Sequence, residues 1–247
     1  MDPDALAATL RAAGCVFAEE EAALLLREAS DDTALAAMVA RRVAGEPLEQ
    51  VVGFAEFCGL RIAVAPGVFV PRQRSTALVR RAAVGLQPGD VVVDLCCGTG
   101  ALGAALAARV PGVEVHAADV DPAAVACARR NLPPDRVYEG DLYDALPGHL
   151  RGRVNAVVAN APYVPTDAIA TMPPEARDHE NRVALDGGTD GLDVQRRVIA
   201  GAADWLAPGG RVLVESSERQ APVSAALMVA AGLVAEVDGQ AVIGTRG

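Results

Sequence analysis

The chain has 247 residues, a formal net charge of −10, and 51% hydrophobic against only 3% aromatic residues. At roughly 100–200 residues per domain this is one main domain with a small accessory piece, apolar enough to exclude global disorder. The acidic balance excludes stable nucleic-acid binding as the main business, because phosphate contacts need a basic surface; it suits a basic protein partner, or simply a soluble surface.

Residues 1–47 read as a small helical domain. Asp2-Pro3 is a cap followed by a first-turn proline, residues 19–29 carry apolar positions at helical spacing, and a third helix starts near Asp31-Asp32 and stops at Gly45, with Pro47 just beyond. Residues 48–72 change period: apolar and polar positions alternate around Gly59, and Pro66-Gly67 marks a turn, which predicts a β-hairpin linker. The hairpin and the helices before it are expected to form one wall of the substrate cleft.

Residues 73–247 form the main domain, where the period becomes strand, helix, strand. Strands are predicted over 91–95, 113–118, 136–139, 154–159 and 211–215, with a closing pair over 233–237 and 240–244. Helices are predicted over 101–110, from the cap Asp121-Pro122 to Asn131, over 190–206 up to the stop at Ala207-Pro-Gly-Gly210, and over 222–231. Short all-apolar strands alternating with helices imply an α/β fold: a Rossmann-like, doubly wound, mostly parallel sheet. The five cysteines and three histidines show no ligand spacing, so no metal site is expected. No apolar run reaches about 18 residues, so no membrane span is expected, and the acidic N-terminus is unlike a signal peptide, so the expected location is cytoplasmic.

Four motifs carry chemistry. Asp94-Leu-Cys-Cys-Gly98-Thr-Gly100 ends a strand and opens a helix; its glycines let a ligand approach the backbone, and its acid suits a cationic amino group where it would repel a pyrophosphate. Asp119, at the end of the second strand, is placed to bind ribose hydroxyls, while Asp121 before Pro122 reads as a helix cap. Asp141, after the third strand, reads either as a contact to an adenine amino group or as a turn-capping aspartate. Asn160-Ala161-Pro162-Tyr163 follows the fourth strand. An amide nitrogen is a poor nucleophile, so a site that alkylates it must hold its NH2 with acceptors. The Asn160 side-chain oxygen is one acceptor and the Ala161 carbonyl another; Pro162 holds residue 161 extended, and Tyr163 offers a flat stacking face.

With these residues the chain resembles the HemK-type protein-(glutamine-N5) methyltransferases, which modify the glutamine of a Gly-Gly-Gln loop in peptide-chain release factors. The resemblance runs through Gly45–Leu48, Gly53 to Leu60, Val70-Pro71-Arg72, the four motifs above, 179–188 and Pro208-Gly-Gly to Glu215. It implies a seven-stranded class I methyltransferase sheet, S-adenosylmethionine as cofactor, a release factor as protein substrate, and a monomer. It adds Cys97, Thr99, Val120, Leu142 and Asn160 to the cofactor contacts Asp94, Gly98, Gly100, Asp119 and Asp141, and assigns substrate contacts to Pro71, Arg72 and Glu180.

Three departures mark a divergent branch. The family's Asn-Pro-Pro-Tyr is Asn160-Ala-Pro-Tyr163, its Pro-Arg-Pro-x-Thr-Glu is Pro71-Arg-Gln-Arg-Ser-Thr76, and Cys96 stands where the first loop glycine belongs. Two alternatives stay open: an N-methyltransferase acting on adenine or a small-molecule amine, and a non-catalytic protein that keeps the cofactor fold.

Overall fold

The computed structural model describes residues 2–247; Met1, the first residue of the expected helical segment, lies outside them. The chain opens with helices α1 (Pro3–Ala12), α2 (Ala18–Glu28) and α3 (Asp32–Val43). Asp2 and Asp31 cap α1 and α3 by accepting the N–H groups of Ala5 and Ala34. A short helix α4 (Leu48–Val52) follows, and Val51 joins Leu6, Leu10, Leu25 and Leu35 in one buried cluster. The helical cluster therefore reaches past residue 47 into the stretch expected to begin the hairpin. Inside it Arg42 and Glu21 form a buried ion pair at 2.6 Å.

The hairpin is β1 (Phe54–Phe57) and β2 (Leu60–Ala63), antiparallel, with Phe57 opposite Leu60. Its two turn residues, Cys58 and Gly59, both have positive φ (52° and 79°), the tight-turn geometry whose twist matches the strands. An unpredicted 3-10 turn and helix α5 (Thr76–Ala82) come next.

The main sheet comprises β3 (Val91–Leu95), β4 (Glu114–Asp119), β5 (Val137–Glu139), β6 (Val154–Ala159), β7 (Leu206–Glu215), β8 (Val234–Asp238) and β9 (Ala241–Thr245). Their spatial order is β5-β4-β3-β6-β7-β9-β8, with β9 alone antiparallel to both neighbours. Helices α6 (Ala101–Arg109), α7 (Pro122–Ala128), α8 (Pro174–His179), α9 (Asp193–Trp205) and α10 (Ala221–Ala230) complete the chain. The sheet is the predicted one. Strand β7 starts earlier than the 211 expected: Leu206 already pairs with Val154, and Ala207–Gly210 loop out before Arg211 rejoins opposite Ala156. Helix α9 starts three residues later than expected, after Gly191 at φ +77°.

Every residue of β3 is buried, as the continuous apolar run requires of a strand covered on both faces. Val92 packs with Leu78, Leu106 and Val115 on one face, while Val91, Val93 and Leu95 pack with Ile199, Trp205 and Val214 on the other. On the second face Tyr143 stacks on Trp205 at 5.7 Å and donates its hydroxyl to the Val198 carbonyl. The order reverses between β3 and β6, and at such a switch point the carboxyl ends of neighbouring strands diverge and leave a crevice.

Candidate active site

A cavity of about 290 Å3 occupies that crevice. Its lip is the loop after β3, which turns left-handed three times, at Cys96 (φ 54°), Gly98 (54°) and Gly100 (75°). Cys97, Gly98 and Thr99 line the cavity, as do Asp119, Val120, Asp141, Leu142 and Asn160. Gly98 has open space where a Cβ would stand, so a ligand can lie against its backbone.

Two residues expected at the cofactor, Gly100 and Asp94, are not part of the cavity lining. Gly100 does not line the cavity: a Cβ there would come within 2.8 Å of Leu132, so its role is close packing of the α6 start. Asp94 is fully buried and also absent from the lining. Its Oδ2 accepts the Gly103 N–H at 2.9 Å, and its Oδ1 has no partner among the described residues. Burial pushes its carboxyl up to about 8, helped by the neighbouring charge of Asp119. Asp94 props the start of α6 from inside the fold.

Asp119 does reach the cavity, and it also braces the loop. One oxygen accepts the Gly98 N–H at 2.8 Å, the other the Asp121 N–H at 2.9 Å. Burial raises its pKa, and these two N–H groups work against that rise. Asp121 caps α7 through the Ala123 N–H, as expected, and also accepts from Asn181. Asp141 pairs with Arg197 of α9 at 2.6 Å, and both line the cavity.

A second cavity, about 310 Å3, lies on the other side of Asn160. Asn160 and Pro162 line both cavities; Ala161 and Tyr163 line only the second. The Asn160 side chain and the Ala161 carbonyl form no hydrogen bond among the described residues, so their acceptor capacity is open to a ligand. Tyr163 is held by its hydroxyl, which donates to Glu215 at 3.3 Å and accepts from Arg74. Only its ring face is left to offer. Burial, with Glu215 beside it, raises the phenol pKa and keeps it neutral.

Pro71 lines the first cavity and Arg72 the second. Glu180, expected as a substrate contact, lines neither. It is buried behind Arg72, accepting from that guanidinium at 2.6 Å and from the Val70 N–H at 3.0 Å. Burial pushes its carboxyl up while Arg72 pulls it down. The helices of the N-terminal segment do not line either cavity. They back the walls instead: Gln50 of α4 donates to the Val68 and His179 carbonyls and accepts from the Gly67 N–H, and Arg42 reaches Glu175 at 2.7 Å. Of the hairpin, Phe57 and the strap Val68–Phe69 do reach the first cavity.

Residues 59–175 match the methyltransferase small domain family. A release factor glutamine methyltransferase of Mycolicibacterium smegmatis is 40% identical over 236 residues, covering 87% of this chain and 83% of that protein. The chain belongs to the release factor glutamine methyltransferase family.

A Geobacter sulfurreducens relative of the same name is 37% identical over 74% of this chain, and the chain spans 65% of its length. At 39% identity stands a Streptomyces pristinaespiralis 4-amino-L-phenylalanine/4-methylamino-L-phenylalanine methyltransferase, aligned over 78% of this chain and 69% of that protein. Among solved structures, a T. thermophilus 16S rRNA methyltransferase in complex with AdoMet and guanosine shares the fold, with a TM-score of 0.55 at 22% identity over 78% of this chain and 50% of that one.

S-adenosylmethionine is the methyl donor, and the first cavity fits it. Three carboxylates, Asp119, Asp121 and Asp141, line it against one cation, Arg197, already paired to Asp141. That balance suits a cationic cofactor with ribose hydroxyls and would oppose a diphosphate. The roles of Gln50, Arg74 and Glu215 escape the sequence, because they depend on partners far away along the chain.

Proposed function

We propose that this protein transfers a methyl group to the side-chain amide nitrogen of a glutamine in a protein substrate, the Gly-Gly-Gln loop of a peptide-chain release factor. The observation that carries the reading is the unspent Asn160 amide on the wall shared by two cavities, one acid-lined and one walled by Tyr163. When bound, S-adenosylmethionine supplies a methyl group activated by its sulfonium.

The chain's residues supply position. The Asn160 oxygen and the Ala161 carbonyl each accept one N–H of the glutamine amide, which turns the nitrogen's lone pair toward the first cavity. The Tyr163 ring packs on the amide plane. Both N–H acceptors are neutral, so the amide is held without being ionised. Alkylation makes the nitrogen positive and its proton acidic, and that proton leaves to water, so no histidine or cysteine base is needed. A basic acceptor protein meets a surface of net charge −10. The same reading places the enzyme in the cytoplasm, as a monomer without stable nucleic-acid binding.

The test is transfer of labelled methyl from S-adenosylmethionine into an intact release factor. The wild-type factor is expected to label and its Gln→Glu variant to stay dark, because a carboxylate has no NH2 to hold. Equal labelling of both ends the glutamine assignment. The amine-methylating relative at 39% identity supports a second reading, a small aromatic amine as acceptor. Labelling of 4-amino-L-phenylalanine in place of the release factor would put that reading first.

A further inference from the structure

The second cavity carries two guanidinium groups whose counter-charges lie behind them. Arg72 pairs with Glu180 at 2.6 Å and Arg74 pairs through Nε with Glu215 at 2.9 Å. The arginine side chains are 31% and 48% exposed, those of the glutamates 0% and 4%. Both arginines line the cavity and neither glutamate does. A guanidinium has five N–H donors. In Arg74, Nε serves Glu215 and Nη2 serves the Tyr163 hydroxyl, while Nη1 makes no hydrogen bond among the described residues. In Arg72 only Nη2 is engaged. The cavity that holds Asn160 and Tyr163 is thus rich in unspent donors.

We infer that Arg74 is a specificity-determining residue of the acceptor site, donating from Nη1 to a main-chain carbonyl oxygen of the peptide that carries the methylated glutamine. This rests on the glutamine reading above and adds to it the feature by which a peptide is told from a free amino acid. The ligand oxygen is neutral for an electrostatic reason. Each guanidinium already shares its charge with a buried glutamate, and Glu175 adds a half-exposed carboxylate that is itself paired with Arg42. A ligand carboxylate would enter a site whose positive charge is already matched, whereas a carbonyl oxygen needs only donors. Residue 74 occupies the variable position of the Pro-Arg-Pro-x-Thr-Glu pattern, so that pattern does not account for its arginine.

Steady-state methylation of an intact release factor by the full-length enzyme tests this, with Arg74→Met, Arg74→Lys and Tyr163→Phe compared. Arg74→Met is expected to raise KM for the release factor about tenfold or more, the loss of one hydrogen bond to a charged group. Its kcat is expected to change less than its KM, and calorimetric affinity for S-adenosylmethionine to stay at the wild-type value. Arg74→Lys, which still donates, is expected to recover part of the KM. Tyr163→Phe keeps the ring face and removes the hydroxyl that meets both Arg74 and Glu215, and its KM rise is expected to be several-fold smaller than that of Arg74→Met. An equal KM rise in Tyr163→Phe and Arg74→Met would reduce Arg74 to a prop for the ring and overturn the inference. So would a parallel loss of cofactor affinity in Arg74→Met, or a wild-type preference for free glutamine over the protein. A wild-type enzyme that leaves the release factor unlabelled defeats the glutamine reading itself, a failure visible before any variant is made, and the inference falls with it.

Discussion

The two cavities that meet at Asn160 are built in different ways. The first is built mainly on short segments at the carboxyl ends of β3, β4 and β5, which supply its N–H groups and carboxylates, with Phe57, Val68–Phe69 and Arg197 closing it from outside. In the second, the lining arginines are held across long sequence distances: Arg72 by Glu180 and Arg74 by Glu215. A cofactor site of the first kind depends on backbone geometry that a doubly wound sheet supplies by itself. An acceptor site of the second kind depends on side-chain pairs, and each pair is a place where a divergent chain can change what it accepts without losing its cofactor.

Asn160, one of the residues shared by both cavities, gives the sharpest break between them. Asn160→Ala is expected to lower kcat at least about a hundredfold, since it removes an acceptor needed to orient the reacting nitrogen. Affinity for S-adenosylmethionine is expected to stay within about twofold, because the acids and the glycine loop of the first cavity are untouched. Single-turnover kinetics and calorimetry on the same preparation check the split. Equal losses in both would mean that Asn160 belongs to the cofactor site alone.

Asp119→Ala probes the first cavity from the other direction. The carboxylate holds the Gly98 and Asp121 N–H groups and also reaches the lining. Its removal is expected to weaken cofactor binding by about 1.5–3 kcal/mol, the range for a lost hydrogen bond to a charged group. KM for the acceptor is expected to move little at saturating cofactor. Unchanged calorimetric affinity would remove the ribose assignment and leave Asp119 as a brace of the loop.

Asp94 adds a pH signature to the first cavity. Its folded-state pKa of about 8 lies above the ordinary value of 3.8, so the folded chain keeps a proton that the unfolded chain has already lost. Between about pH 4 and 8 the folded state binds more protons, and stability therefore falls as pH rises through that window. Asp94→Asn, isosteric with the protonated acid, is expected to flatten this slope in thermal melts taken from pH 5 to 8. A slope unchanged in the variant would place the titration elsewhere.

The contrast between the cavities is also the contrast between what was and was not legible in the sequence. Strands β3 and β6 occupy the predicted residues, because an apolar run of five or six bounded by turn signals has one natural place in a covered sheet. Asp119 and Asn160, singled out by their positions at strand ends, both line the first cavity. Asp94 and Gly100 belong to the same loop motif, yet they serve packing beneath the cavity. A linear pattern does not say which side of a turn faces the ligand. Helix α5 went unpredicted because it grows out of a 3-10 turn and is only seven residues long, too short to show periodicity. Glu215 was quoted only as part of a motif; that it gathers Arg74, Ser75 and Tyr163 follows from β7 lying beside β6, a fact of topology.

Cys96 carries the smallest expected effect and tests how far the first cavity depends on backbone alone. The residue sits at φ 54°, in the left-handed region that favours glycine, and its side chain lines the cavity and packs against the sheet's second apolar face. Burial and the surrounding acids raise its thiol pKa, so it stays a neutral, weakly nucleophilic group. Cys96→Gly relieves a left-handed conformation costing about 1–2 kcal/mol. Against this stand the extra unfolded-state entropy of glycine, about 0.5–1 kcal/mol, and the lost packing of the thiol. The terms nearly cancel, and the melting temperature is expected to shift by no more than about 2–4 °C, the equivalent of 1 kcal/mol in a domain of this size. Affinity for S-adenosylmethionine is expected to hold, since the N–H groups of the loop keep their directions. A loss of affinity beyond about tenfold would show that the Cys96 side chain itself contacts the cofactor, and that the loop binds through more than its N–H groups.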